Sequence, residues 1–175
     1  MKQPRRVFVA GTIQGANRGV QMEGQGYRTR ISELFKAAFP DTECFDPSAE
    51  VLDQLSIPST AQLIQTIAIE SPPILQTTQL PSPLLALRKT FVDTTQSVES
   101  FDLCVAYLPG HMPSMGTAME MYAAHRSGVP IVTITDMVGN LAIASVSDWI
   151  VADLHSFETW LADMVAVLET ESRAQ

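Results

Sequence analysis

The stretch that most constrains this chain is the apolar run Asp102-Leu-Cys-Val-Ala-Tyr-Leu108 with the segment Ser114-Met-Gly-Thr-Ala-Met-Glu120 behind it. A run without polar alternation reads as a buried strand. Residues 117–125 read as a helix, so a loop of small residues joins strand to helix. Open α/β sheets place ligands in such loops, and backbone N–H groups at a helix start can hold an anion. Glu120 is expected in the first helical turn, where the helix dipole favours a charged carboxylate. Two readings stand side by side: Glu120 is a nucleophile facing a cleft, or it only complements the dipole.

The rest of the chain repeats this alternation. Residues 6–10 read as a strand bounded by Gly11, and Gly11-Thr-Ile-Gln-Gly15 is a turn-forming loop that runs into an extended segment over 16–26. Ile31, Leu34, Phe35 and Ala38 give residues 27–39 a helical face, stopped by Pro40. A short strand over 42–45 precedes Asp46-Pro47. Seven of the eleven prolines fall between Pro40 and Pro83, so the middle is punctuated. Helices are expected over 61–70 and, with Leu84, Leu87, Phe91 and Val98, over 84–98. Residues 52–83 read as a helical, proline-rich insertion covering one edge of the sheet, as a lid or an oligomer contact. Strands follow over 103–108, 130–135 and 149–152, with helices over 117–127, 141–145 and 156–171. Ser156 is the expected cap of the last helix, and Phe157, Trp160, Leu161, Met164, Val167 and Leu168 form its packed stripe.

Alternating strands and helices imply one α/β domain over residues 1–175, with a five-stranded parallel sheet and helices on both faces. The flavodoxin-like (Rossmann-like) strand order 2-1-3-4-5 fits five such strands. Strands 1 and 3 are then neighbours, and loops 11–15 and 109–116 converge on one pocket.

Composition removes several function classes. The net charge is −8 and the isoelectric point near 4.7, which argues against a nucleic-acid polymer or an anionic membrane as partner. No apolar run is long enough to span a bilayer or serve as a signal core, so a cytoplasmic protein is expected. Cys44 and Cys104 read as buried thiols rather than a disulfide framework, and His111, His125 and His155 are scattered without metal-ligand spacing. No metal or cofactor is expected: the first loop lacks a Gly-Lys-Ser/Thr ending, and no Gly-x-Gly-x-x-Gly follows the first strand. The nearest arginine to the loops in sequence is Arg18. A serine hydrolase built on Ser114 and His111 lacks an elbow motif.

Two carboxylates without a metal suit glycosidic chemistry. Asp93, in the helix before strand 3, is the leading partner for Glu120; its other reading is an exposed helical charge. Glu99 and Asp102 are weaker partners, since Asp102 opens a strand. Phe45, at the end of strand 2, either stacks on a ligand or belongs to the core.

Three segments carry a family resemblance: Val7-Phe-Val-Ala-Gly-Thr-Ile-Gln-Gly15, the run from Asp102 through Glu120, and Asn140-Leu through Val146-Ser-Asp-Trp-Ile150. The chain resembles the nucleoside 2-deoxyribosyltransferase superfamily, which includes nucleoside 5′-monophosphate N-glycosidases, over most of its length except the middle insertion. The resemblance implies that Glu120 attacks the sugar C1′, that Asp93 assists departure of the base, and that Tyr27 lies beside the nucleophile. The interval from Asp93 to Asp102 is one residue longer than the family pattern.

It further implies that Thr12, Ile13, Gln14 and Gly15 in the first loop, and Ser114, Gly116 and Thr117 in the second, bind substrate. Ser114 stands where monophosphate hydrolases carry a serine and transferases an aspartate, and a hydroxyl can donate to a phosphate that a carboxylate would repel. Asn140 resembles an asparagine that a neighbouring subunit contributes, which implies a homodimer or larger homo-oligomer with a shared site. The expectation is therefore an N-glycosidase releasing the base of a nucleoside 5′-monophosphate. The alternatives are a deoxyribosyltransferase exchanging bases on 2′-deoxynucleosides and a non-catalytic nucleotide-binding module.

Overall fold

The computed structural model describes residues 2–15, 17 and 19–173. Five strands, β1 (Arg6–Gly11), β2 (Glu43–Phe45), β3 (Leu103–Tyr107), β4 (Ile131–Ile134) and β5 (Trp149–Val151), form one sheet in the order β2-β1-β3-β4-β5. All four pairings are parallel, with Val7 opposite Cys44 in β2 and opposite Leu103 in β3. This is the expected flavodoxin-like architecture.

Strand β1 shows why the sheet needs cover on both faces. Val7 and Val9 join Ile31, Phe35, Phe157 and Leu161 in one buried cluster, whereas Phe8 and Ala10 join Cys104, Met121 and Ile143 in another. The first cluster lies under α1 (Gly26–Ala38) and α7 (Leu154–Arg173), the second under α5 (Met115–Arg126) and α6 (Leu141–Val146). Burying one such phenylalanine contributes about 1.5–3 kcal/mol relative to leaving it exposed. In the α7 stripe Phe157, Leu161 and Met164 are buried, but Val167 is exposed, one step outside the packed face. The cap of α7 is Asp153 rather than Ser156: its carboxylate accepts from the Ser156 N–H at 2.7 Å, and the helix starts two residues earlier than expected.

The middle of the chain is more helical than its prolines suggest. Asp46 accepts from the Ser48 N–H at 2.8 Å and launches α2 (Ser48–Leu55), a helix the periodicity did not announce. Then come α3 (Pro58–Glu70), which carries its proline in the first turn where no N–H is needed, and α4 (Ser82–Ser97). Helix α3 packs on α2 and α4. It also reaches the segment that follows the first loop: a Cβ on Gly19 would lie 2.2 Å from the Gln65 amide oxygen, and Gly19 has φ +67°. Among the described residues no helix is long and apolar enough to cross a membrane.

Candidate active site

Helix α5 starts at Met115, with Ser114 as its cap, so Glu120 lies in the second turn rather than the first. Its charge state is therefore set by its surroundings more than by the helix end. The side chain is 4% exposed, and its Oε2 has no hydrogen-bond partner, which singles it out among the described buried side chains. Burial pushes the carboxyl up to about 8 against the pull of the Arg28 cation; the Asp46 carboxylate adds to the rise and a backbone hydrogen bond at Gly11 opposes it. The dipole argument predicts a charged glutamate, whereas desolvation wins and keeps it neutral at neutral pH. Glu120 is turned inward, and among the described residues it forms no ion pair.

The groups around it come from several elements. Arg28, on α1, is 3% exposed and donates to the carbonyls of Val9 and Gly11, the latter at 2.9 Å. It also pairs with Asp46 at 3.2 Å. Arg28 thus closes the C-terminal end of β1 and bridges it to the end of β2. Tyr27 stacks on Tyr107 with centroids 4.4 Å apart, and burial raises its hydroxyl above the usual range, helped by Glu120 and opposed by Arg28. The ring rests on Gly11, where a Cβ would meet the Tyr27 hydroxyl at 2.1 Å. The charge of Glu120 acts on the Tyr27 hydroxyl, which itself donates to the Thr12 carbonyl at 3.5 Å.

The first loop is tied down locally. The Glu23 N–H donates to the Ile13 carbonyl at 2.7 Å, Gln25 donates to the Thr12 carbonyl at 3.0 Å, and Gln14 donates to the Gly19 carbonyl at 2.6 Å. Gly15 has φ +60°, which suits glycine at this turn. Thr12 is buried and, with Glu23, Gly24, Tyr27, Tyr107, Pro109 and Met112, lines a cavity of about 130 Å³. Arg18 lies outside the described residues.

The second loop lines a different hollow. Ser114, Ala118, Met121 and Tyr122 face Met137, Ile143 and Val146 around a cavity of about 260 Å³, with Asn140 and Ser145 at its polar points. The loop after β3 divides the two: Tyr107, Pro109 and Met112 belong to the smaller, Leu108, Pro113 and Ser114 to the larger. The hydroxyls of Thr12 and Ser114 therefore line two cavities, where the sequence suggests one shared pocket. Ser114 Oγ accepts from the Thr117 N–H at 3.3 Å and the Thr117 hydroxyl at 2.9 Å, and Gly116 packs beside Phe91. Asn140 caps α6, accepting from the N–H groups of Ala142 and Ile143 at 3.0 and 3.2 Å, and is exposed.

Two expected residues fall elsewhere. Asp93 is on the solvent side of α4, paired with Lys89, while the next residues, Thr94 and Thr95, are buried. One residue is about 100° of helical turn, which is enough to carry its side chain off the packed face. Phe45 packs against Phe8 and Phe101, with centroids 5.6 and 5.4 Å away, and joins the core.

No known protein-family model matches the sequence, and no curated protein matches it. Among solved structures, the chain is similar to a 2-deoxyribosyltransferase from the psychrotolerant bacterium Bacillus psychrosaccharolyticus: 15% identity over 87% of this chain and 90% of that one, with a TM-score of 0.53. The two share a fold. A conserved protein from Enterococcus faecalis is also similar, with 16% identity, 95% and 98% coverage and a TM-score of 0.42.

The sequence reading missed Arg28, Asp46 and Tyr107. Arg28 carried a signal: it stands three residues before Ile31 and seven before Phe35, on the buried stripe of α1. A charge at a core position is held by partners. Asp46 read only as a turn residue before Pro47, and Tyr107 only as strand. No described group of three or more His, Cys, Asp or Glu is arranged to hold a metal. The chemistry available is that of one sequestered carboxyl with a free oxygen, a buried cation shared with a second carboxylate, and a stacked tyrosine pair.

Proposed function

We propose that this protein cleaves the base–sugar bond of a nucleoside through Glu120 and passes the sugar to a second base. The observation that carries the reading is the Glu120 carboxyl, with its unpartnered oxygen, at the switch point between β1 and β3. In the reaction a Glu120 oxygen bonds to C1′ as the C–N pair leaves with the base, which takes up a proton. The acceptor base then attacks C1′ through a ring nitrogen, gives up its N–H proton, and releases the carboxylate. The carboxyl must ionise as ligand seats, because burial raises it to about 8 and attack needs the charged form. Tyr27 and Gly11 shape the space beside it, and the likeness in fold to a 2-deoxyribosyltransferase supports the choice of reaction.

Hydrolysis of a nucleoside 5′-monophosphate is the second reading, favoured by the hydroxyls of Thr12 and Ser114. Three observations lower it. The described residues lining the two cavities include no lysine, arginine or histidine. Glu23 stands beside Thr12. Ser114 and Asn140 already serve their helices as caps. A second copy reaching the larger cavity belongs to the proposal too: Met115 and Leu141, at the starts of α5 and α6, are 87% and 85% exposed.

The test is product separation after incubation with deoxyadenosine, deoxycytidine, dCMP or CMP, with and without a second base. Base exchange on unphosphorylated nucleosides is expected. Free base from monophosphates alone would support the hydrolase, and intact nucleotide bound equally well by Glu120→Ala would support a binding module.

A further inference from the structure

Glycosidic chemistry with two carboxylates needs a second acid near Glu120, and α4 does not supply it. The α4 residues buried next to Asp93 are Thr94 and Thr95, and Asp93 pairs with Lys89 on its own helix. The carboxylate whose charge bears on both Glu120 and Tyr27 is Asp46. It follows β2 directly, at the carboxyl ends of the strands, where open α/β folds bind ligands. Its side chain is 43% exposed, so a ligand can reach it.

The contacts of Asp46 are one-sided. Its Oδ1 accepts from the Ser48 N–H at 2.8 Å and the Ser48 hydroxyl at 2.6 Å, and pairs with Arg28 at 3.2 Å. Among the described residues Oδ2 has no protein partner. Arg28, buried, continues to the carbonyls of Val9 and Gly11, and the Gly11 backbone bonds to Glu120. A continuous set of contacts thus runs from a solvent-reachable carboxylate oxygen to the sequestered carboxyl.

We propose that Asp46 is the second carboxylate of the site: its Oδ2 accepts a ligand hydroxyl, as from a sugar ring, and the Arg28 guanidinium between the two acids ties that contact to the charge on Glu120. The proposal rests on Glu120 being the reacting group. The two acids share one cation, so a hydroxyl donating to Oδ2 draws negative charge away from Oδ1. More of the Arg28 field then acts on Glu120 and favours its charged form, as catalysis requires. The other titratable groups set around Glu120 are Tyr27 on α1 and Cys104 on β3. Arg6 on β1 and Arg88, Lys89, Asp93 and Glu99, on the segments packed against α5, are exposed to solvent, and β4 and α6 carry no titratable side chain.

The experiment is a carbon-13 titration of the glutamate carboxyls, with the Glu120 signal identified by its absence in Glu120→Gln. Asp46→Asn keeps the Oδ1 acceptor for Ser48 and Arg28, so the turn into α2 is retained. The Glu120 midpoint is expected to fall by about one pH unit or more in Asp46→Asn, since a neighbouring like charge shifts a carboxyl by that order. It should stay in place in Asp93→Asn. With the best nucleoside substrate, KM should rise roughly tenfold in Asp46→Asn, as expected for a lost hydrogen bond to a charged group. An unmoved midpoint, an unmoved KM, or a KM that rises in Asp93→Asn alone would overturn the assignment. If the wild type acts on no nucleoside the functional reading fails, and the titration still decides the Arg28 link by whether Asp46→Asn moves it.

Discussion

Helix α5 separates two environments that have little in common. On one side Glu120 lies against Gly11, close to Tyr27, Arg28 and Asp46, in a region rich in charge and poor in space. On the other, Ala118, Met121 and Tyr122 line a roomier hollow with Leu108, Met137, Ile143 and Val146. The first can do chemistry but admits little; the second admits a ligand fragment but offers mainly shape. On the proposed reading bond-breaking and fit are divided between the faces of one helix, so substitutions on the two faces should have separable effects.

The largest effect is expected from Glu120→Gln, which keeps the shape and removes the reacting oxygen. Turnover of the best nucleoside should fall by about a thousandfold or more, with ligand affinity measured by calorimetry changed little. A loss of affinity matching the loss of turnover would mean that Glu120 serves recognition, and the division between the faces would fail.

The same variant tests the charge-rich face without substrate. The Glu120 carboxyl is raised in the folded state to about 8, so between the ordinary carboxylate value of about 4.5 and about 8 the folded protein holds a proton that the unfolded chain has released. Stability should therefore decline as pH rises through that window, by up to about 1.4 kcal/mol per pH unit from this one group. The penalty is absent below the window and complete above it. Glu120→Gln should flatten the decline and be the more stable protein at pH 9 in denaturant titrations. Parallel curves for the two proteins from pH 5 to 9 would contradict the burial argument.

How much of this was legible in the chain differs between the same two faces. The sheet order followed from strand–helix alternation, because buried parallel strands such as Val7–Ala10 and Leu103–Ala106 are apolar without a break. Glu120 was legible from its loop and Ser114, although the start of its helix was misjudged by two residues, which replaced a dipole effect with desolvation. Asp93 misled because helical phase decides exposure; the extra residue before Asp102 was the visible sign that the acid is rotated away from the site. Asp46 and Arg28 were not assigned because their meeting joins β2 to α1, 18 positions apart, through a contact that no local pattern encodes. The larger cavity was equally hidden, since its wall combines α5 with residues around α6 whose spacing carries no signal.

Gly11→Ala probes the charge-rich face by crowding. A Cβ would stand 2.1 Å from the Tyr27 hydroxyl, so the ring must leave its stack on Tyr107. Overpacking of this kind costs about 1–3 kcal/mol, and in a domain of this size each kcal/mol lowers the melting temperature by about 2–4 °C. Tyr27→Phe in the same background removes the clashing hydroxyl and should recover part of that loss. A fully stable Gly11→Ala would mean that Tyr27 moves freely and does not shape the space at Gly11 next to Glu120.

The smallest expected effect belongs to the apolar face. Ala118 lines the larger cavity yet is exposed to solvent, so Ala118→Leu adds bulk to the hollow without crowding the core. If the cavity seats an uncharged part of the nucleoside, KM should rise by roughly tenfold, the scale set by one or two misplaced methylenes in an apolar pocket. The turnover number, the melting temperature and the titration midpoint of Glu120 should stay where they are, because the perturbed side faces away from Gly11 and Arg28. The informative readout is the last of these. A Glu120 midpoint that moves with Ala118 would show that the two faces of α5 communicate, and that the ligand fragment held by shape on one side also sets the charge on the other.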